Sequence, residues 1–492
     1  MFGRGRLLLV MIALVAACGA SSRRGSAPLA AGLALTDLTV VDVESGHLLH
    51  EQTVLISGRR IVRVAPSRRT DVPRGAQVVS ARGRYLIPGL WDMHVHLFNQ
   101  VSRRPPNLWY FPLLVANGVT GVREMWAKTT DVATLVDWRK RIAAGDLLGP
   151  RIAAAGALVD GPVSSWPTTD RVATAEEARQ FVRQVRSAGL DFVKVYSSLS
   201  REAYFAIADE ARRAGFPVAG HIPLRVSAGE AAAAGQRSNE HLQQVREACS
   251  TLERQILQER ERLYSGPFTA AEDVSLWDRH EQIRAETYDD ETCEAAARRL
   301  AAGPLWQVPT LVNERRYFLG SPEGYERDPR LAYVPTGERR IWNAGLKEFG
   351  VEIATVAQAR ADQRARRWAA TLRVVRTLAQ AGVPFMAGTD LGNPYLVPGF
   401  SLHEEMALLV GAGLSPLEAL RAGTVNPARY LQVSDSGTVE AGKLADLVLL
   451  DANPLEDIRN TQKISAVVLN GRYLDRRTLD RLLREAERSA KN

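Results

Sequence analysis

The stretch LIPGLWDMHVH, residues 86–96, is a short apolar run that ends in a His-x-His pair. In a β-strand alternate side chains share a face, so Asp92, His94 and His96 line one side. A single His-x-His pair is weak evidence, because chance produces it often. What decides the fold is that the same pattern returns downstream. His221 ends VAGH, His241 ends SNEH and Asp390 ends FMAGTD, each after a glycine-terminated helical pattern. Working outward, eight short apolar strands can be placed: Leu86–His96, Val119–Met125, Ile152–Val159, Phe192–Tyr196, Val218–His221, Ser238–His241, Val308–Val312 and Phe385–Asp390. Amphipathic helices alternate with them, which predicts an α/β (β/α)₈ barrel over residues 87–432. Capping-box patterns at Thr174–Glu177, Ser401–Glu404 and Ser415–Glu418 mark helix starts. Four of the eight histidines then fall at C-terminal strand ends, where barrels of this kind do chemistry. One such histidine could be an ordinary core residue; the set points to metal ligation.

The flanks have a different texture. Residues 33–86 and 433–476 contain short β-rich segments with turn residues between them, Asn470-Gly471 among these, and predict a β-sandwich built from both parts of the chain. Two connections, about 242–307 and 313–384, are far longer than usual and carry helical patterns. Residues 477–492 read as a helical tail. Composition agrees with one large domain and a satellite: 492 residues, 46% hydrophobic and 24% charged. The net charge of +8 comes from 63 basic and 55 acidic residues spread evenly, which makes no case for nucleic acid.

Only seven residues are lysine, and Lys194 sits in the apolar run DFVKVYS. An unpaired buried ammonium costs several kcal/mol. Two readings stay open. Lys194 snorkels at the strand end, or its charge is inverted by carboxylation, which makes a carbamate able to bridge two divalent metals. The histidines favour the second.

Taken together, His94 and His96, Lys194, His221, His241 and Asp390 resemble the ligand set of the amidohydrolase superfamily, in its binuclear metal branch. The segments GVTGVREM, GTDLGNPYLVPGFSLHEEM and GLSPLEALRAGTVNPARYL resemble imidazolonepropionase-like and Xaa-Pro dipeptidase-like members, and ADLVLLDANPLEDI resembles the last strands of their sandwich. The resemblance implies two zinc-like ions sharing carboxylated Lys194 and a bridging hydroxide. His94, His96 and Asp390 would hold the more buried ion, His221 and His241 the outer one. Asp390 would be the catalytic base and acid. It further implies hydrolysis of amide bonds in dipeptides or N-acyl amino acids, or of cyclic amides, lactones or phosphotriesters; a retired enzyme acting as a binding lipoprotein is the remaining alternative. Tyr196 and Arg123 are candidate substrate contacts, and Arg123–Glu124 could equally be a structural ion pair. Homo-oligomerisation stays open.

Arg4 and Arg6 precede an apolar run from Leu7 to Ala17, about 16 Å as a helix and too short to span a bilayer. Residues 1–18 read as a secretory signal. Val15-Ala-Ala-Cys18 resembles a bacterial lipobox, which would put lipid on Cys18, and residues 19–32 form a flexible tether. No Asp follows Cys18, so outer-membrane anchoring facing the periplasm is expected, with lipid the sole membrane contact. A plain secretory signal is the alternative. Export would favour a disulfide between Cys249 and Cys293 over two separate buried thiols.

Overall fold

Pro88 and Gly89 divide the opening stretch between two sheets. In the computed structural model, which describes residues 32–99, 106–164, 166, 168–266, 269–319, 325–348 and 358–491, the first sheet carries strands β1 (Leu33–Val41), β2 (Leu48–Ser57), β3 (Arg60–Pro66), β4 (Gln77–Ser80) and β5 (Tyr85–Pro88). The second begins with β6 (Leu90–Val95) and continues through β7 (Val119–Ala127), β8 (Arg151–Asp160), β9 (Asp170–Arg171), β10 (Phe192–Val195), β11 (Val218–Gly220), β12 (Ser238–Glu240) and β13 (Trp306–Val308). The chain then returns to the first sheet with β14 (Leu447–Leu450), β15 (Ile464–Leu469) and β16 (Arg472–Asp475).

The second sheet is parallel, in the order β13-β12-β11-β10-β8-β7-β6, with the two-residue β9 beside β8. Every residue of β6 and β7 is buried, as expected where helices cover the outer face of a parallel sheet. The predicted eighth strand, Phe385–Asp390, is not a regular ladder but still closes the ring. Met386 N–H donates to Gln307 O, Met93 N–H to Ala387 O and His96 N–H to Leu391 O. Within this eighth segment lies Gly388, where a Cβ would lie 2.6 Å from the Val308 side chain and 3.0 Å from His94 N. The two walls approach too closely for any other residue. The predicted seventh strand is also corrected, from Val308–Val312 to Trp306–Val308, because a helix starts at Leu311. This is a (β/α)₈ barrel whose final position is held by bridges. Its core packs Phe111, Trp138, Val185, Ile207 and Leu409 between strands and helices.

The first sheet runs β16-β15-β14-β5-β1-β2-β3, with β4 also on β1. Strand β1 pairs through Leu33–Thr36 with β4 and through Thr39–Val40 with β5, so one long strand serves two partners. Leu35, Leu38, Ile61, Leu86 and Leu449 form its own apolar core. A helix, Arg476–Lys491, follows β16.

Capping boxes form at Thr174 with Glu177 and at Ser415 with Glu418. The expected box at Ser401 does not. The helix there spans Phe400–Ala412, Gly399 occupies the cap, and Glu404 instead pairs with Arg315 and Arg330. A disulfide joins Cys249 to Cys293, tying the helix Val245–Ala248 to the helix Asp290–Ala301. Among the described residues no helix is long and apolar enough to cross a membrane.

Candidate active site

Three residues at consecutive strand ends hold left-handed backbone: His241 (φ 61°), Thr310 (φ 50°) and Asp390 (φ 63°). Non-glycine residues rarely adopt this conformation, and where they do the surrounding structure forces it. Here the turn at each strand end aims the side chain inward. His94, His241 and Asp390 each offer a ligand atom within 4.8 Å of the others. The four strand-end imidazoles form a continuous row: ring centroids are 5.3 Å apart for His96 and His94, 4.9 Å for His94 and His241, and 4.8 Å for His241 and His221. Asp390 stands nearest the first-strand pair, 3.0 Å from His96 Nε2 and 3.2 Å from His94 Nε2, with His241 Nε2 farther off at 3.9 Å.

Hydrogen bonding fixes the tautomer of His94. His94 Nδ1 lies 2.9 Å from the Glu240 carboxylate, which can only accept, so that nitrogen carries the proton. His94 Nε2 is then a lone pair. It faces Lys194 Nζ at 3.2 Å, which donates, and Asp390 Oδ1 at 3.2 Å, which cannot. Thr310 Oγ1 lies 2.6 Å from His241 Nδ1 and Ser197 Oγ lies 2.8 Å from His221 Nδ1. His96 Nε2 meets Asp390 Oδ1 at 3.0 Å, and His96 Nδ1 is buried without a partner. A histidine whose far nitrogen is held by a carboxylate or hydroxyl is the usual arrangement of a metal-binding imidazole.

Burial pushes all four imidazoles below their ordinary pKa, so they are neutral and able to ligate. Burial also pushes the Lys194 amine down to about 8, against the pull of Asp390, Glu240 and Glu124. Gly220, at φ 118°, makes room for this lysine: a Cβ there would lie 2.9 Å from Lys194 Cγ and 2.4 Å from Val195 O. Asp390 is drawn the other way. Burial alone would raise it, but His94, His241 and His96 hold it well below the usual carboxylate range. Two facing acceptors, an unpartnered ring nitrogen and a set of four neutral imidazoles with one carboxylate fit divalent zinc-like cations by donor chemistry.

All six predicted ligand residues thus converge, and Tyr196 lies beside them, stacked on His221 at 4.0 Å. Arg123 is a correction. It is completely buried inside the barrel and spends its donors on Met93 O, Ser238 Oγ, Tyr430 OH and both Glu240 oxygens. Substrate cannot reach it. Nor does it pair with Glu124, because neighbours on a strand point to opposite faces; Glu124 accepts from Leu97 N–H and Trp126 N–H instead. Sequence reasoning missed Glu240, which links Arg123 to His94. The signal was present as a charged residue inside the three-residue strand Ser238–Glu240, where only the adjacent His241 drew notice. It also missed Asn313, whose side-chain N–H donates to Asp390 Oδ2 at 2.9 Å. Asp92, on the same face as His94, accepts from Thr389 N–H and Oγ1–H and pins the irregular eighth position to β6. Cys18 lies outside the described residues.

Comparisons with known proteins agree with this fold. An imidazolonepropionase from Deinococcus deserti is 41% identical over 93 residues, 19% of this chain and 23% of that protein, so the chain spans under a quarter of such curated relatives. The structure of a bottromycin amidohydrolase superposes with a TM-score of 0.70 at 24% identity, covering 93% of this chain and 90% of that one. A putative prolidase from Bifidobacterium longum gives 0.61 at 26% identity, covering 93% of this chain and all of that one. The amidohydrolase family pattern runs from residue 85 to residue 474, through the whole barrel, the later strands of the first sheet and every strand-end residue described above, and the chain belongs to that family.

Proposed function

We propose that the protein is an exported metal-dependent hydrolase of amide bonds, acting on dipeptides or N-acyl amino acids. The observation that carries the reading is the pair of acceptors His94 Nε2 and Asp390 Oδ1, 3.2 Å apart within a row of neutral imidazoles. Lys194 Nζ is the donor that meets this pair, 3.2 Å from His94 Nε2, and a divalent cation would take over that role once Lys194 is a carbamate. The likeness to a putative prolidase along that protein's whole length supports a peptide-like substrate.

His94, His96, His221, His241 and Asp390 would hold two divalent ions, with zinc expected, and Lys194 would join them as a carbamate. When bound, the ions lower the pKa of a water and polarise a carbonyl as Lewis acids. The carbamate forms when the neutral Lys194 amine adds carbon dioxide and loses a proton, which turns a donor into an anionic oxygen ligand. Asp390 turns Oδ1 towards the imidazoles, so Oδ2, oriented by Asn313, is the oxygen that accepts the water proton. Asp390 then returns the proton to the leaving amine, as one group serving as base and then acid. Tyr196 OH accepts from Trp166 Nε1–H at 2.9 Å, which orients the phenol to donate to the carbonyl oxygen as charge develops there.

The test combines metal analysis with a screen of dipeptides and N-acyl amino acids on zinc-loaded protein. Two ions per chain and turnover of a member are expected. Lys194→Ala should lower metal content towards one ion or none, with acetate or bicarbonate partly restoring it. Near-zero metal in the loaded wild-type protein would sink the hydrolase reading and leave a binding lipoprotein; full metal in Lys194→Ala would remove the carbamate. The stretch shared with imidazolonepropionase keeps cyclic amides in the screen.

A further inference from the structure

The two long connections meet at a small cavity, and three guanidinium groups line it. Arg246 comes from the helix Val245–Ala248, soon after β12; Arg284 comes from the helix Ala270–Glu286 and Arg367 from the helix Gln358–Gln380. Their side chains are 10%, 7% and 9% exposed. Each group uses its Nη atoms on partners of its own. Arg246 donates to Glu314 Oε2 at 3.3 Å, and Arg284 donates to Glu247 and Glu281. Arg367 donates to Asp278 Oδ1 at 3.4 Å and to Asp278 O at 3.1 Å. The Nε–H groups remain. In all three residues this atom is buried and has no hydrogen-bond partner among the described residues. A buried donor on a charged group is costly to leave unmatched, and native proteins rarely do so.

The neighbouring carboxylates do not cancel this excess. Glu281 is the single carboxylate among the described residues that line the cavity. Glu247 lies behind the wall and is shared between Arg284 and Arg260. Asp278, the partner of Arg367, is 66% exposed, so solvent screens it. The cavity leaves about 20 Å³ for the centre of a small guest, where one water needs roughly 10–15 Å³. One particle of that size fits; phosphate, sulfate and carboxylates are too large.

From this we propose that the cavity binds a single anion of chloride size, which accepts from the three Nε–H groups and ties the two connections together. A water molecule fits the wall less well. It has two lone pairs for three donors, and its own two hydrogens need acceptors where the charged groups are mostly donors. An anion accepts from every side and needs nothing in return, and such charge-assisted bonds are the stronger kind. Guanidinium groups also part with their hydration readily. The cavity is separate from the strand-end ligand set, so the inference stands independently of the hydrolase reading.

The test uses the full zinc-loaded protein with chloride exchanged for methanesulfonate at constant ionic strength. Raising chloride from about 1 mM to about 150 mM is expected to raise the melting temperature by about 1–3 °C. Ala370→Leu fills the cavity without altering a charge and should flatten that response. Arg367→Gln removes one charged donor whose own partner is exposed, so it folds even where the filled cavity does not, and it should weaken the response. A crystal soaked in bromide and measured at the bromine absorption edge should show one peak in the cavity, against the Nε atoms. Zinc content should not change with chloride, which separates this site from the metal centre. A melting temperature indifferent to chloride, or a response equal in wild type and both variants, would overturn the proposal. So would a cavity that holds only water. A bromide peak with no chloride effect in solution would mark an adventitious ion only and would also count against it.

Discussion

Asp390 has two carboxylate oxygens with different neighbours: Oδ1 faces His96 and His94, Oδ2 faces Asn313 and, at 3.9 Å, His241. An amide can take the same shape but cannot accept a proton at neutral pH. Asp390→Asn is therefore expected to lose about 10²–10⁴-fold in turnover while keeping more metal than His94→Ala, with steady-state kinetics and metal analysis run side by side. Turnover within a few-fold of wild type would take Asp390 out of the chemistry. The histidines, Lys194 and Asp390 were legible in the sequence because ionisable residues at the ends of apolar strands are rare and costly. Glu240, Thr310 and Asn313 were not. Each is an ordinary polar residue until the barrel closes and brings His94, His241 or Asp390 against it. Arg123 was misread for the same reason: its strand position suggested the mouth, yet its long side chain turns inward to Glu240.

At the scale of elements, the helix Ala228–Ala234 after β11 is anchored by Ser227 and Glu230, and Glu230 also takes Arg201 at 2.5 Å. The Arg201 hydrogen bond, with help from Ser227, holds Glu230 near a pKa of about 2 against a usual 4.5. A depressed carboxylate stabilises the fold fully above its unfolded pKa and loses that contribution as pH falls towards the folded value. The melting-temperature gap between wild type and Glu230→Gln should be constant above about pH 4.5 and narrow towards pH 2; a gap that widens in acid would refute this. The Cys249–Cys293 bridge closes a loop with a sequence separation of 44. In the chain-entropy model such a loop contributes roughly 4 kcal/mol, with measured values often smaller. Reduction, or the double alanine variant, should lower thermal stability and leave metal content unchanged; two thiols titrating in the unreduced, denatured protein would contradict the bridge. Capping motifs were legible where the box is local, at Thr174 and Ser415. They misled at Ser401, because a distant Arg330 competes for Glu404.

For the whole molecule, the proposed lipid anchor depends on Cys18, outside the described residues. Intact-mass analysis of membrane-extracted protein should show a lipidated Cys18 as the mature N-terminus, and Cys18→Ala should release the protein with unaltered turnover; a soluble product cleaved elsewhere would contradict the anchor. The barrel was legible because seven strands alternate with helices in simple order. Its eighth position was overread as a strand, since an apolar run does not show whether the segment pairs as a ladder or, as here, through isolated bridges. The first sheet has a consequence in time. Strand β14 pairs with β5 at Leu447–Pro88 through Leu450–Tyr85, although the whole barrel lies between them in the chain. As the protein is made, β5 emerges early and its edge stays unpaired until the last helices of the barrel have been synthesised. An interrupted chain that stops short of β14 therefore presents an open β-edge, the feature that invites aggregation and proteolysis. Completion of that one pairing separates finished molecules from unfinished ones before any chemistry begins.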